Sequence, residues 1–181
     1  MKQMVEGKRV AVIGRAGSLL RSRYGAEIDQ ADVVIRINWV LPIPEEQTKH
    51  VGTKTDIVYH CKRAKTARLT ATRLGVKTLR CRGRRGAARR HFRKPQRFRP
   101  TTGFMAVLAA LTAGALTVHL YGFDFFRSGH VQDREPDGDD YSRPLAWAHS
   151  PTQERYAMQE LIRKNPGRLF PDHILLQAVG K

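Results

Sequence analysis

RVAVIGRAGSLLRSRYGAEIDQADVVIRIN, residues 9–38, is the stretch that decides the fold. An apolar run at 10–13 leads into Gly14 and Gly17, and a second apolar run at 33–35 follows a helical segment. This order predicts a strand, a glycine turn, a helix and a second strand. Glycine lets a phosphate or nucleotide approach the backbone closely at such a strand-to-helix turn. We therefore expect a nucleotide site at this turn.

The end of the second predicted strand carries two polar side chains, Arg36 and Asn38. Side chains alternate across a strand, so these two are expected to share one face. Ligands of open α/β sheets collect at the carboxyl ends of the strands. The strand end and the glycine turn are therefore predicted to form the same site.

Length and composition predict that residues 1–181 form one soluble domain, since 41% of the residues are hydrophobic. The most apolar stretch, 104–120, is interrupted by polar residues and glycine, so no membrane span is expected. The N-terminus passes from charged residues directly into the first strand, which predicts a cytoplasmic protein without a signal peptide. Cys61 and Cys81 lack the spacing of a zinc site or a disulfide framework.

The net charge of +17 is concentrated in one part of the chain. Residues 57–123 contain no Asp or Glu but hold sixteen Lys and Arg. Such a segment attracts a polyanion, which leaves nucleic acid, an acidic polysaccharide and an anionic membrane surface as candidates. A solvated basic face is the alternative. The preference for arginine favours binding, because its planar fork suits phosphate and carboxylate.

The remainder of the chain continues the alternation of strands and helices. Further strands are predicted at 57–59, 76–79 and 117–121, and further helices at 62–74, 100–114 and 150–164. Leu69 and Leu74 are expected on the inner side of the first of these helices. The alternation predicts an α/β fold, a single Rossmann-like domain with a mainly parallel twisted sheet flanked by helices.

Three segments are predicted to be loops. Two prolines indicate a loop at 39–49, and the only acidic cluster indicates an extended surface loop at 127–148. The arginine-rich segment 80–99 is expected to be a loop with at most one helical turn, and to bury Phe92 and Phe98.

Four segments resemble, in order, the motifs of a known enzyme family. Residues 10–55 resemble the large sialyl motif, and residues 100–124, beginning PTTG and ending YGFD, resemble the small motif. His149 and Glu154 in HSPTQE resemble the very-small motif, and His130 lies where the third motif has its histidine. The chain therefore resembles the animal-type sialyltransferases of glycosyltransferase family 29, as a short soluble form of microbial or viral type.

The resemblance implies the fold of these enzymes, a GT-A-like variant, and a metal-independent inverting transferase without a cofactor. The enzyme would move a sugar acid, such as sialic acid or Kdo, from a CMP-activated donor to an acceptor hydroxyl. A helix N-terminus at 101–103 would stabilise the leaving phosphate. The donor-binding residues implied are Gly14, Arg15, Gly17, Ser18, Asn38, Thr101, Thr102, Gly103, Gly122 and Phe123.

Two histidines are the predicted catalytic residues. His149 is the candidate general base, because an unperturbed pKa near 6.5 suits proton removal at neutral pH; the alternative is a loop histidine that caps the next helix. His130 is assigned to the leaving phosphate by the resemblance, and a surface histidine beside an acidic loop is an equal alternative. The aspartates at 137–140 have the spacing of a metal motif, but an acidic surface loop is the favoured interpretation.

The chain departs from the family's pattern in three places. Val10 and Ala115 occupy the positions of the family's disulfide, which favours a reducing compartment. Arg15 replaces Asn or Ser, so donor contacts there are expected to differ. The region between the large and small motifs is short and rich in arginine. Within the basic segment 62–99, the residues predicted to hold a polyanionic acceptor are Arg82, Arg84, Arg85, Arg89 and Arg90.

The acceptor itself stays open. An acidic glycan, a lipopolysaccharide core and nucleic acid all satisfy the charge, and a modified base in DNA would have to be flipped or single-stranded to react. The alternative functions are a glycosyltransferase acting on modified DNA and a non-catalytic nucleic-acid-binding protein with this fold.

Overall fold

The structure is a computed structural model, and it describes residues 1–93, 99–129, 131 and 149–180. The strands are β1 (Arg9–Ile13), β2 (Val33–Ile37), β3 (Ile57–His60), β4 (Lys77–Arg80), β5 (Thr117–Tyr121) and β6 (Leu169–Pro171). The helices are α1 (Lys2–Val5), α2 (Gly25–Asp29), α3 (Glu45–Val51), α4 (Lys65–Arg73), α5 (Arg84–His91), α6 (Thr102–Thr112), α7 (Pro151–Lys164) and α8 (His173–Val179), with a 3₁₀ helix at Gly17–Arg21 after β1.

The six strands form one sheet in the order β4-β3-β2-β1-β5-β6, and every neighbouring pair is parallel. The chain begins in the middle of the sheet, runs outward to β4, and returns to the other side of β1. The direction of winding therefore reverses between β1 and β5, where open α/β sheets bind their ligands. The predicted α/β class with a parallel sheet is confirmed.

Helices cover both faces of this sheet. On one face, α6, α7 and α8 contribute Phe104, Met158 and Leu175 to the largest apolar cluster. On the other face, Ile28 of α2 and the fully buried Trp39 pack over β1 and β2. The sequence of a strand that is covered on both sides is a nearly continuous apolar run, which explains why the positions of β1 and β2 could be predicted from the sequence.

Val10 and Ala115, which take the place of the family's disulfide, are 0% and 1% exposed in the same apolar cluster. Both positions are thus part of ordinary core packing. Among the described residues, no helix combines the length and the apolar composition that crossing a membrane requires.

Two segments predicted to be loops contain helices. α3 begins after Pro44, with Glu45 and Glu46 in its first turn and basic residues in its last, which suits the helix dipole. α5 spans eight residues and buries only Ala87 and Ala88, while Phe92 after it is 6% exposed, as predicted. Phe98 lies outside the described residues, as does most of the predicted loop 127–148.

The expectation for α4 was wrong in detail. Its inner surface is formed by Ala67 and Ala71, whereas Leu74 is 56% exposed. Leu74 follows the last helical residue and precedes Gly75, whose φ of +70° ends the helix before the chain enters β4. The small alanine side chains let the helix lie close to the strands.

The C-terminal segment was not predicted. β6 extends the sheet next to β5, and Asp172 then caps α8 by accepting from the Leu175 N–H at 2.7 Å. The other carboxylate oxygen of Asp172 accepts from the Gly122 N–H at 3.0 Å. An aspartate just before an apolar run is the pattern that marks this helix start in the sequence.

Gly14 and Gly86 provide a matched test of the packing between β1 and β5. A Cβ on Gly14 would lie 2.1 Å from the carbonyl oxygen of Gly122, whereas the nearest atom to a Cβ on Gly86 is 3.9 Å away. We expect Gly14→Ala to lower the free energy of unfolding by about 3 kcal/mol or more, since backbone would have to move. Denaturant unfolding followed by circular dichroism measures this.

Gly86→Ala is the control. Gly86 lies inside α5 with room for a Cβ, and alanine is a better helix former than glycine. The substitution should raise the free energy of unfolding by about 0.5–1 kcal/mol. Equal effects of the two substitutions would contradict the close approach of β1 and β5.

Candidate active site

The glycine turn after β1 is closed by hydrogen bonds within the protein. Gly14 N–H donates to the Tyr121 carbonyl at 2.8 Å, Ala16 N–H to the Gly122 carbonyl at 3.2 Å, and Gly17 N–H to the Gly129 carbonyl at 2.5 Å. These amides hold the turn against the end of β5. The close approach that glycine allows here is therefore between two backbone segments, and the backbone N–H groups are not presented to a phosphate.

Ser18 is also tied to the segment beyond β5. Its N–H donates to Ser128 Oγ at 3.0 Å, and its hydroxyl donates to Asp124 Oδ2 at 3.3 Å. Asp124 in turn accepts from Ser128 N–H at 3.0 Å. Arg15, in the same turn, is 8% exposed, and its carbonyl accepts from Val131 N–H at 2.9 Å.

Phe123 brings three of the predicted donor residues together. A Cβ on Gly103 would lie 2.9 Å from the ring of Phe123, and a Cβ on Gly14 would lie 3.4 Å from it. The ring thus packs between the start of α6 and the glycine turn and is half-buried. Gly122, just before it, has a φ of +72°. The turn after β1, the turn after β5 and the N-terminus of α6 therefore meet at one edge of the sheet.

Arg36 and Asn38 do not form the shared polar face expected from the sequence. Arg36 is fully buried, and its guanidinium donates to the Val51 carbonyl at 2.7 Å and to Thr55 Oγ1 at 2.9 Å. Burial lowers the pKa of Arg36 to about 10, which leaves it charged at neutral pH. Its contacts make Arg36 a structural residue that holds the turn before β3.

Asn38 lies just beyond β2 with a φ of +55°, and its side-chain oxygen accepts from Cys61 N–H at 2.9 Å. This bond joins the ends of β2 and β3 at the carboxyl edge of the sheet. Asn38 is half-buried there. A role in donor binding stays a prediction for this residue.

The start of α6 is bound to α7 through Glu154. Thr101 caps α6 by accepting from Phe104 N–H at 3.1 Å, which confirms the cap expected from the sequence. The Thr101 N–H donates to one carboxylate oxygen of Glu154 at 2.9 Å, and the Thr101 hydroxyl donates to the other. One buried side chain thus fixes the two helix starts relative to each other.

Burial dominates the chemistry of Glu154, which is 5% exposed. Removal from water raises the pKa of its carboxyl group to about 7, although the two hydrogen bonds from Thr101 and the nearby charge of Arg84 act in the opposite direction. The carboxyl group therefore changes its protonation state near neutral pH.

His149 has the geometry of a neutral base. Its Nδ1 lies 2.7 Å from the Arg99 carbonyl oxygen. A carbonyl only accepts, so Nδ1 carries the proton and the lone pair is on Nε2. Burial lowers the pKa of His149, and the charges of Arg84 and Arg99 act in the same direction, while the bond to the carbonyl partly offsets them. The imidazole is therefore neutral at pH 7 and can accept a proton at Nε2.

The cap of α7 is Ser150, whose hydroxyl accepts from Gln153 N–H at 3.3 Å. His149 is thus not needed as the helix cap, which was its alternative role. His130 lies outside the described residues, and so do the aspartates at 137–140.

The five arginines predicted for the acceptor side divide into two kinds. Arg84 is half-buried and donates to Thr102 Oγ1 at 2.5 Å and to Cys81 Sγ at 3.2 Å. The exposed ones are Arg82, Arg85, Arg89 and Arg90. Nothing in the sequence distinguishes Arg84 from Arg85 beside it, because the difference arises from where α5 docks. Arg84 therefore differs from the other four in its contacts, and the role of all five on the acceptor side stays a prediction.

Comparison with known proteins supports the family resemblance in the N-terminal part of the chain. The model of glycosyltransferase family 29 (sialyltransferase) matches residues 2–81. The match includes all of the segment 10–55 that resembles the large motif and ends before the segments at 100–124 and 149–154. The resemblance to sialyltransferases is confirmed.

Several named sialyltransferases share a short, well-matched segment with this chain. An alpha-N-acetylneuraminide alpha-2,8-sialyltransferase of Xenopus laevis is 49% identical over 51 residues, 28% of this chain and 14% of that protein. The human alpha-2,8-sialyltransferase 8E is 51% identical over 51 residues, 28% of this chain and 13% of that protein. The matched segment therefore spans about one seventh of the length of these relatives.

The fold extends the resemblance to most of the chain. A crystal structure of a mammalian sialyltransferase in complex with Gal-beta-1-3GalNAc-ortho-nitrophenol matches with a TM-score of 0.57 and 22% identity, over 93% of this chain and 71% of that one. A second crystal structure of a mammalian sialyltransferase matches with a TM-score of 0.58. The single parallel sheet with flanking helices is thus the architecture of these enzymes.

Glu154→Gln should remove a pH-dependent step in stability. The folded protein holds the proton of Glu154 up to a pKa of about 7, whereas the unfolded chain releases it near 4.5. Between these pH values the folded state binds more protons, so its stability falls as the pH rises, by up to about 3 kcal/mol, and levels off above pH 7. Glutamine cannot ionise, so the variant should lack this decline.

Denaturant unfolding of both proteins from pH 5 to pH 8 measures the difference, in which shared contributions from histidines cancel. Glu160→Gln, on the same helix, is the control. Arg163 lowers the pKa of the partly exposed Glu160, so that group is already ionised across this range. Parallel curves for wild type and Glu154→Gln would contradict the buried, protonated carboxyl group.

Proposed function

We propose that the protein, a chain with the fold of sialyltransferases and a family 29 match over residues 2–81, is a glycosyltransferase. It transfers a sugar acid, sialic acid or Kdo, from a CMP-activated donor to an acceptor hydroxyl with inversion and without a metal. The observation that carries the proposal is the pair formed by His149 and α6. The imidazole of His149 is neutral, with its lone pair on Nε2, and lies just before α7. Glu154 in the first turn of α7 binds the start of α6.

The proposed reaction is a single displacement. The acceptor oxygen forms a bond to the anomeric carbon as the bond from that carbon to the phosphate oxygen breaks, and the electron pair leaves with the phosphate. The acceptor proton goes to Nε2 of His149. A base of this kind contributes about 10²–10⁴-fold to the rate.

The departing phosphate would be stabilised at the start of α6. An eleven-residue helix presents its first N–H groups and the positive end of its dipole there. The Phe123 ring against Gly103 shields this helix start on one side. The inverting displacement requires that a donor seated at this point has its anomeric carbon between the phosphate and His149.

An anionic acceptor is proposed from the exposed arginines of α5 and the turn before it. Exposed arginines raise the local concentration of anionic molecules and fix them by bidentate bonds. The sialyltransferase relatives favour a glycan as this acceptor and give no support for DNA or for a non-catalytic nucleic-acid-binding protein. The location in the cytoplasm stays a prediction.

A donor assay tests the proposal directly. Purified protein is incubated with CMP-sialic acid and, separately, with CMP-Kdo, and CMP release is measured along with the thermal shift caused by CMP and CDP. Release of CMP from either donor, with stabilisation by the nucleotide, supports the donor assignment. If neither donor is hydrolysed and no nucleotide stabilises the protein, the assignment is wrong.

His149→Ala should lower kcat about 10²–10⁴-fold while CMP binds as before, because only the base is lost. Burial lowers the pKa of His149, so kcat/KM of the wild type should stay constant to below pH 6.5 before it falls on the acid side. His173→Ala, an exposed histidine on α8, is the control. A His149→Ala variant with wild-type transfer would rule out the base.

Substitution of Arg89 and Arg90 by glutamine should weaken binding of an anionic acceptor and leave donor hydrolysis unchanged. Because both side chains are exposed, we expect KM for the acceptor to rise about three- to tenfold at low salt and less at high salt. Initial rates at two ionic strengths, with a charged and a neutral acceptor, measure this. If the substituted protein and the wild type have the same KM for the charged acceptor, these arginines have no role in acceptor binding.

A further inference from the structure

Arg84 occupies an unusual position for an arginine in a basic segment. It is the first residue of α5, after Gly83 turns the chain with a φ of +75°. Its side chain lies toward the start of α6, where one terminal nitrogen donates to Thr102 Oγ1 at 2.5 Å and Nε donates to Cys81 Sγ at 3.2 Å. The guanidinium group is thus held by two fixed partners on two other elements.

Both of these hydrogen-bond partners are neutral. A hydroxyl and a thiol orient the guanidinium group without cancelling its charge. The side chain is half-buried, so its charge is screened by water less than that of an exposed arginine. The positive charge adds to the positive end of the α6 dipole next to it.

Arg84 also lies close to the two ionisable residues of the site. Its charge lowers the pKa of His149 and opposes the rise in the pKa of Glu154. It therefore favours the neutral imidazole that proton transfer requires. Arg84 donates to Thr102 at the start of α6, and His149 donates to the carbonyl of Arg99, two residues before Thr101.

We propose that Arg84 binds the phosphate of the nucleotide-sugar donor at the start of α6 and takes up the charge that develops as the nucleotide leaves. This role rests on the proposed function. When the bond between the anomeric carbon and the phosphate oxygen breaks, its electron pair stays on the phosphate, and Arg84 donates N–H bonds to that oxygen. The nucleotide monophosphate leaves as the acceptor oxygen completes the glycosidic bond and His149 takes the acceptor proton.

Arginine fits this role for a geometric reason. Its planar fork can bind two phosphate oxygens at once, and Thr102 and Cys81 fix the plane of the fork in advance. Arg82 and Arg85, before and after it, are exposed and lack such anchors. Arg84 is thereby assigned to the donor, and the exposed Arg82, Arg85, Arg89 and Arg90 stay assigned to the acceptor.

Calorimetric binding of CMP and of cytidine separates the phosphate contact from the contacts to the base. Wild type is compared with Arg84→Met, which keeps an unbranched apolar stem and removes the guanidinium group, and with Arg73→Met, the same change at an exposed residue ending α4. We expect Arg84→Met to lose about tenfold or more in CMP affinity and to bind cytidine unchanged. Arg73→Met should match the wild type for both. A folded Arg84→Met protein with the wild-type ratio of CMP to cytidine affinity overturns the proposal.

A second measurement uses the wild-type protein, so it does not depend on folding of a variant. Phenylglyoxal modifies arginine, and peptide mapping gives the rate at each residue. CMP and inorganic phosphate should each slow the modification of Arg84 severalfold and leave that of Arg73 unchanged. Equal protection of the two residues by both compounds, or protection of neither, overturns the proposal.

The two measurements also separate this proposal from the proposed function. If inorganic phosphate protects Arg84 and binds less tightly to Arg84→Met, but CMP does not bind, then Arg84 forms an anion site and the CMP donor is wrong. If the wild type hydrolyses a CMP donor and Arg84→Met keeps full activity and full CMP affinity, then the proposed function stands and the role of Arg84 is wrong.

Discussion

The hydrogen bonds between Glu154 and Thr101 are the constraint on which the rest of the site depends. A buried carboxyl group without partners is very unfavourable, so the first turn of α7 is stable only where Glu154 reaches the backbone and hydroxyl of Thr101. This contact fixes the start of α6, where the donor phosphate is proposed to lie. It also fixes His149, two residues before α7. The start of α6 and the segment that carries His149 are therefore held together by Glu154, and the bond to the Arg99 carbonyl then orients the imidazole.

The parallel sheet brings the other parts of the site to the same edge. Every strand in it runs in one direction, so the segments that follow β1, β2, β4 and β5 all leave at the carboxyl edge. Asn38 follows β2, Cys81 follows β4, and the Gly122 turn follows β5. Residues far apart in sequence thus meet at this edge, although the connection from β4 to β5 has to pass β3, β2 and β1. Of the two ionisable groups of the site, Glu154 is buried and His149 is half-buried, which limits their contact with bulk water.

The sequence predicts the elements whose signals are local. The apolar runs of β1 and β2, the threonine cap of α6 and the serine before α7 each mark their own element. α5 could not be predicted, because only Ala87 and Ala88 are buried and arginine at the other positions resembles a solvated loop. The burial of Arg36 and the position of Arg84 depend on partners from other elements, Val51 and Thr102, which no local pattern reveals. The geometry of His149 depends on a carbonyl fifty residues away, at Arg99.

The glycines of the first turn have a wider consequence for reading such sequences. Gly14 faces the backbone of Gly122, and Gly17 faces that of Gly129, so both are required by the contact between two connections of the sheet. A sequence match at these glycines therefore reports how the sheet is assembled and carries no information about which sugar is transferred. Attempts to infer or to redesign substrate preference should look instead to the side chains around them, such as the buried Arg15 between the two glycines.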